Sequence, residues 1–178
     1  MKHLTIIAAL LLLAACSKIE TGERSYVIKA GEHYATPRTT EQTGNRISFT
    51  FYVDDSWYYT CAHDVGWSKL LGLSNSLSPH WNSARLAWRC RQDSTIVLAA
   101  YFYLNKIRYI YEFGAVDVGW HYGEVYFSGE RYHVRLNDRT ITHPYKWGKV
   151  SGNQYLCHPY FGGDKPAPHD VKFYINIR

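Results

Sequence analysis

The sequence lacks most of the local motifs that identify an enzyme. Its 178 residues contain no Gly-x-Ser-x-Gly elbow, no His-Glu-x-x-His pair and no glycine-rich phosphate loop, which are signatures of many hydrolases, metalloproteases and nucleotide-binding proteins. It also has no Cys-x-x-Cys pair and no internal repeat. The 20 basic residues outnumber the 15 acidic ones without clustering into a long run. This charge pattern argues against nucleic-acid binding and suits a surface that meets anionic partners.

The longest apolar stretch stands at the N terminus, where a mostly apolar run from Leu4 to Leu13 follows Met-Lys-His. It is shorter than the about 20 apolar residues that a membrane-spanning helix needs. A basic start, a short apolar run and small residues after it are typical of an export signal. The small residues end in a cysteine, and Leu13-Ala14-Ala15-Cys16 resembles the lipobox of bacterial lipoproteins.

This resemblance implies a signal peptide over residues 1–15 and lipid on the sulfur and amine of Cys16. The protein would then be anchored to a bacterial membrane, and Ser17 is compatible with onward transport to the outer membrane. A polar stretch over residues 16–23 predicts a short tether, and residues 24–178 have the length of a single domain. The alternative is an ordinary secretory signal that ends by chance at a cysteine.

The composition is rich in aromatic residues, with 16 Tyr, 6 Trp and 7 Phe against a single Met. Tyrosine and tryptophan favour strands and also supply flat surfaces for sugars and partners. Three cysteines follow Cys16, namely Cys61, Cys90 and Cys157. Because exported proteins meet an oxidising compartment, one disulfide is plausible, and all three pairings stay open alongside buried free thiols.

Apolar and polar residues alternate over most of the chain, which predicts β-strands. Clear examples are residues 47–53, 85–90, 96–103 and 171–177. Asn105-Lys106 is expected to join two strands as a hairpin turn. The one helical candidate is Val65–Leu73. Many short strands in one domain predict an all-β, antiparallel β-sandwich of the jelly-roll or lectin-like type, with a closed barrel as the alternative.

The alternation also sorts residues onto two faces. Leu86, Trp88 and Phe102 are expected in the core, and the residues between such positions are expected to share the opposite, exposed face. That face is rich in arginine, which bonds carboxylates and sulfates, and in tyrosine, which stacks on sugars. The predicted ligand-binding residues are therefore Arg85, Arg89, Tyr101, Tyr103, Arg108, Glu124, His133 and Arg135. The alternative is that these residues form cross-strand pairs that only stabilise the sheet.

Two loops are further candidates. The segment from His158 to Asp170 contains three prolines and a Gly-Gly pair, so it is expected to be a shaped loop, either a site or a structural plug on the sheet edge. A companion loop precedes the arginine-bearing strand and contains His80. No set of histidines has the spacing of a known metal motif, so no metal or cofactor is predicted. The alternatives are a metal ion held by His80, His158 and His169 and calcium held by Asp164, Asp170 and backbone carbonyls.

The stretch over about residues 84–136 is architecturally similar to the lectin-like and jelly-roll sandwiches of carbohydrate-active proteins. This resemblance indicates what such folds often bind, and together with the lipobox it leads to a first hypothesis, a membrane-anchored, non-catalytic module that binds a glycan or glycoconjugate. A second hypothesis is a polysaccharide lyase or glycoside hydrolase acting on an anionic glycan. A lyase would draw on Tyr101, Tyr103, His133 and Arg85, and a hydrolase on Glu112 and Glu124. A third is a structural or assembly lipoprotein with an envelope-protein partner.

The anchor hypothesis predicts that Cys16→Ala moves the protein from the membrane to the soluble exported fraction, because no acyl chain can then be attached. Intact-mass measurement of the membrane-bound wild type should show a mature chain that begins at Cys16 and bears acyl groups. A mature, lipid-free chain that begins elsewhere would contradict the hypothesis.

Overall fold

The computed structural model describes residues 22–59, 66–92, 94–145 and 154–178. These residues form twelve β-strands and one short 3-10 helix, Asp55–Trp57. The predicted signal peptide, Cys16 and Cys61 lie outside the described residues. The first strand begins at Gly22, which pairs with Ile177, so the strand takes up the last two positions of the expected tether.

The strands form two six-stranded sheets. The first sheet has the order β1, β12, β3, β8, β9, β10, with the bounds Gly22–Ile28, Val171–Ile177, Arg46–Val53, Gly119–Ser128, Arg131–Leu136 and Arg139–Pro144. The second has the order β2, β11, β4, β5, β6, β7, with the bounds Thr39–Gln42, Gln154–Cys157, Ser68–Ser74, Asn82–Cys90, Ile96–Leu104 and Ile107–Val116. Every neighbouring pair is antiparallel.

The predicted all-β sandwich is therefore confirmed. In β3 the inward side chains are all buried while the residues between them keep contact with solvent, as period-two alternation requires. The last strand, β12, lies between β1 and β3, so the last strand pairs with the first. The core between the sheets is aromatic, with Trp57 and Trp88 at 4.9 Å and Trp57 and Phe173 at 5.3 Å between ring centroids.

The expected hairpin between β6 and β7 is also present. Asn105 and Lys106 have φ values of 48° and 68°, the left-handed conformation that a two-residue hairpin turn requires.

The helical prediction over Val65–Leu73 is wrong, since Ser68–Ser74 forms β4 in the middle of the second sheet. Every residue of β4 is buried, and a short strand covered on both faces shows a continuous apolar run that periodicity cannot distinguish from a helix. The outer face of the second sheet is thus covered over β4, and this cover positions the site described below. Within the described part of the chain, no helix is long and apolar enough to cross a membrane.

Candidate functional site

The eight predicted ligand-binding residues do not share one face of the sandwich, so the prediction of a common face is wrong. Five of them lie on the second sheet, namely Arg85, Arg89, Tyr101, Tyr103 and Arg108. Glu124, His133 and Arg135 lie on the first sheet. Both groups point away from the core, so they occupy opposite outer faces of the sandwich and cannot meet around one ligand.

The first-sheet group is engaged in local pairs. Glu124 accepts hydrogen bonds from Arg46 Nη1 at 2.5 Å and Ser48 Oγ at 2.9 Å. The His133 ring stacks on Tyr126 at 4.3 Å, and Arg135 donates to the carbonyl oxygen of Asn137 at 2.6 Å. These contacts match the alternative in which the residues stabilise the sheet.

Two carboxylates proposed as a hydrolase pair are separated in the same way. Glu112 belongs to β7 on the second sheet and accepts from Arg89 at 2.9 Å and from Arg91 at 2.5 Å. Glu124 stands on the other side of the sandwich. Alternation distinguishes inward from outward side chains, but it does not indicate to which sheet a strand belongs, so it could not separate Glu112 from Glu124.

A cleft of about 450 Å³ opens on the outer face of the second sheet. Its walls come from the segments around Tyr34, from the loop before β5, from β4 and from the start of the segment His158–Asp170. The lining residues are Tyr34, Arg38, Thr39, Lys69, Leu77, Ser78, Pro79, His80, Arg85, Cys157, His158 and Tyr160. Of the eight predicted binding residues, Arg85 is the one that lines it.

Gly72 determines where the Arg85 side chain lies. A Cβ on Gly72 would stand 2.4 Å from Arg85 Cγ and 2.2 Å from the carbonyl oxygen of Ala84, distances that real Cβ atoms do not reach. Gly72 pairs directly with Arg85 across the β4–β5 ladder, beside a register shift. The missing side chain therefore lets Arg85 cross β4 towards the cleft.

Arg85 is not on an open surface, as the sequence predicted, but at the base of this cleft with 5% exposure. Its guanidinium lies 5.4 Å from the Tyr101 ring centroid and 5.8 Å from that of Tyr103. Among the described residues, neither Nε nor Nη2 has a hydrogen-bond acceptor, although both atoms are buried. Buried guanidinium groups are normally paired, because removing an unpaired charge from water is costly.

The wall over β4 is the start of the proline-rich segment. Lys69 and Tyr160 exchange backbone hydrogen bonds of 2.8 and 3.0 Å, and Phe161 inserts into the core with 1% exposure. Position 162 requires glycine, because a Cβ there would lie 1.9 Å from the carbonyl oxygen of Trp67. The segment is therefore both a plug on the sheet and one side of the cleft.

Among the cleft residues that the sequence did not predict are two cations and a tyrosine, Lys69, Arg38 and Tyr34. Lys69 was hidden inside the apolar run of β4, and Tyr34 and Arg38 belong to a segment without periodicity before β2. The Arg38 guanidinium lies 3.9 Å from the Tyr34 ring centroid. The one sequence feature that could have indicated Lys69 as a site residue is a lysine within an otherwise apolar run.

His80 brings a titratable ring to the edge of the cleft. Its centroid lies 5.0 Å from that of Tyr103, and Tyr101 donates its hydroxyl hydrogen to Tyr103 at 3.3 Å. Burial and the nearby charges of Arg85 and Lys69 lower the pKa of His80 below its ordinary 6.5. The neutral ring, which can accept a proton, is thus favoured at neutral pH.

His158 has a structural role in the cleft floor. It is 3% exposed, and its ring nitrogens contact Thr40 Oγ1 at 3.0 Å and the Tyr26 hydroxyl at 3.2 Å. Burial, followed by the charge of Arg24, lowers the pKa of His158 from 6.5 to about 4. His158 therefore joins β1, β2 and β11 as a neutral ring.

In the described part of the chain, His80, His158 and His169 do not come together as one group. His169 contacts the carbonyl oxygen of Ser56 at 2.9 Å, and the described residues contain no group of three or more metal-ligating side chains. Asp170 accepts from Lys29 Nζ at 2.7 Å and from the Ala30 amide at 3.0 Å. Calcium binding by Asp164 and Asp170 stays a prediction. Cys157 is a buried free thiol, so the two pairings that involve it do not form.

Comparison with known proteins supports the fold and nothing finer. No protein-family model matches the chain, and no curated protein matches it in sequence. Alginate lyase AlyC3 in complex with dimannuronate is similar, with a TM-score of 0.56, 8% identity, and coverage of 86% of this chain and 72% of the other. A glycoside hydrolase family 16 endo-glucanase from Bacteroides ovatus gives 0.54 and 9%, with 89% and 81% coverage.

A second family 16 enzyme from Bacteroides ovatus, from a mixed-linkage glucan locus, has a TM-score of 0.53 and 10% identity, with coverage of 86% of this chain and 80% of the other. At such identities the likeness establishes a jelly-roll β-sandwich. The residues of the cleft must therefore be interpreted from their own geometry.

The neutral His158 predicts acid sensitivity of the fold. Between pH 6.5 and about 4 the unfolded chain protonates this histidine and the folded chain does not, so stability is lost as the pH falls through that window. The loss should reach about 3 kcal/mol. Denaturant unfolding measured across this range should show a shallower pH dependence for His158→Gln, and an unchanged slope would contradict the assignment.

Proposed function

We propose that this protein binds an acidic glycan in the cleft, with the guanidinium of Arg85 bonded to an anionic group of the sugar. The observation behind the proposal is the pair of buried nitrogens on Arg85 that have no acceptor among the described residues. A carboxylate or sulfate is the ligand that fits a planar guanidinium, because two parallel hydrogen bonds form at once.

The charges around Arg85 favour an anion. Arg38 and Lys69 also line the cleft, and none of the described residues that line it is an aspartate or glutamate. In a recess walled by protein, charges of one sign reinforce each other because water screens them poorly. An uncharged sugar can accept hydrogen bonds from Arg85 through its hydroxyl oxygens, but it supplies no charge to neutralise the guanidinium.

The walls favour a sugar ring over a small inorganic ion. Tyr34 and Tyr160 line the cleft with ring centroids 4.8 Å apart, and Tyr103 flanks Arg85. Tyrosine rings offer flat apolar surfaces with a hydroxyl at the edge, which suits pyranose rings. The fold comparison is consistent with a sugar ligand, since the structurally similar alginate lyase AlyC3 binds a uronate disaccharide.

A lyase is the second candidate, and the position of His80 favours it. In β-elimination a base removes the proton on the carbon next to the carboxyl group, the glycosidic C–O bond breaks, a C=C bond forms and the leaving oxygen is protonated. Arg85 would neutralise the carboxylate, neutral His80 would accept the proton, and the Tyr103 hydroxyl stands beside them. His133, which the sequence grouped with this set, lies on the opposite face and takes no part.

The membrane anchor belongs to the proposal as well, and it rests on the lipobox-like Leu13-Ala14-Ala15-Cys16 alone. An anchored domain that begins a few residues after Cys16 would hold its cleft close to the membrane. The glycan would then be an acidic polymer at or near the bacterial surface.

The binding proposal predicts opposite effects of Arg85→Met on affinity and on stability. Affinity for oligogalacturonate, measured by calorimetry, should fall about tenfold or more, because a charge-assisted hydrogen bond in a buried site is lost. The free energy of unfolding should stay equal or rise, because an unpaired buried charge is replaced by an apolar side chain of similar length. Binding should also weaken as salt is added.

Arg135→Met is the matched control, since it removes an arginine from the outer face of the other sheet. It should change the affinity less than about twofold, as expected for a distant surface charge. Equal affinities of wild type and Arg85→Met would show that the cleft is not the binding site.

The lyase candidate predicts an unsaturated, ultraviolet-absorbing product when the wild type is incubated with oligogalacturonate or oligoalginate. His80→Gln should abolish the product while the affinity stays within about threefold, because the anion is still held by Arg85. Binding without product in the wild type would leave the binding module as the function.

A further inference from the structure

Lys69 is a lysine buried in the middle of a β-sheet, which is an unusual position for a charged side chain. It stands in the middle strand β4, is 7% exposed and lines the cleft. Its Nζ donates to the carbonyl oxygen of Trp67 at 2.6 Å and lies 4.5 Å from the ring centroid of Tyr101 and 5.1 Å from that of Tyr160. Within the described part of the chain, it forms no ion pair with a carboxylate.

A position that served packing alone would hold an apolar residue, because an unpaired ammonium in such surroundings is costly. Lysine is tolerated here because it can be neutral. Burial is the largest cause, and the charges of Arg85 and Arg108 add to it, lowering the pKa of Lys69 from 10.5 to about 7. The titratable and charged groups that face this region are Arg85, Tyr101, Tyr103, Arg108, Tyr160, His80 and Asp164.

Lys69 and Arg85 both approach the ring of Tyr101. The Lys69 Nζ lies 4.5 Å and the Arg85 Cζ 5.4 Å from the ring centroid of Tyr101. Both residues line the same recess. An anion bonded to Arg85 in this recess would therefore share it with the amine of Lys69.

We propose that Lys69 is the second cation of the anion site and that it takes up a proton from solvent when an acidic ligand binds between it and Arg85. This inference rests on the proposed function and defines its ligand class more narrowly. The ligand needs an anionic group whose oxygens reach both side chains, so a uronate or sulfated sugar fits and a neutral glucan does not. Lys69 thus acts as a specificity residue.

The sign of the pH dependence follows from linkage. A bound anion stabilises the ammonium form, so it raises the pKa of Lys69 above the value of about 7 that burial and the neighbouring cations set. Below about pH 7 Lys69 is protonated both in the free protein and in the complex, so the affinity does not change with pH. Above about pH 7 the free protein has lost the proton and the complex keeps it, so the affinity falls as the pH rises and binding consumes protons.

Proton uptake can be measured directly by titration calorimetry in two buffers of different ionisation enthalpy at about pH 8.5, with oligogalacturonate and inorganic sulfate as probes. The wild type should take up close to one proton per ligand. Lys69→Arg keeps the charge and removes the titration, so uptake should vanish while affinity becomes independent of pH. Lys69→Met should remove both the uptake and the pH dependence and bind about tenfold more weakly at neutral pH.

Lys172→Met is the control, because Lys172 is an exposed lysine on the first sheet, and the uptake should be unchanged. Binding of oligogalacturonate without proton uptake overturns this inference and leaves the proposed function standing. Proton-coupled binding of sulfate without binding of oligogalacturonate supports Lys69 and overturns the glycan proposal. Failure of both probes to bind overturns both.

Discussion

The site depends on the backbone pairing between Lys69 and Tyr160. Two hydrogen bonds fix the segment after β11 along β4, and the insertion of Phe161 into the core beside Trp88, with ring centroids 6.0 Å apart, anchors it. Because of this pairing, the segment that contains Tyr160 covers the outer face of the second sheet over β4 and forms one wall of the cleft. Without it β4 would have one face in water, Lys69 would be an ordinary surface lysine and Arg85 would be solvated.

The cover also explains why two basic side chains are buried on a face that alternation assigns to solvent. Both Lys69 and Arg85 give up water without gaining a carboxylate from the described residues. Such residues lower the stability of a fold and persist at sites where a ligand supplies the missing partner. The glycines at 72 and 162 are part of the same construction, because any side chain there would displace Arg85 or the wall.

Alternation was sufficient for the fold class and insufficient for the site. It predicted most of the strands but not β4, and together with the Asn105-Lys106 turn it predicted the sandwich, since these features depend on local chemistry. It could not assign strands to sheets, and so it placed Arg85 and Arg135 on one face although the sandwich separates them. The cleft itself is built by pairings between distant segments, such as Tyr34 with Tyr160, and no periodicity within one segment reveals them.

The distribution of charge separates the two classes of glycan chemistry considered for this fold. A hydrolase needs two carboxylates flanking one bond, yet Glu112 and Glu124 stand on opposite faces and each is already bonded to arginine. The cleft presents the reverse, since its described lining residues include cations and neutral bases and no carboxylate. In the proposed function, a negatively charged ligand would complete this arrangement, because it would supply the acceptors that Arg85 lacks among the described residues and the charge that favours a protonated Lys69. The difference between binding and cleavage of such a ligand would then depend on neutral His80 beside Tyr103.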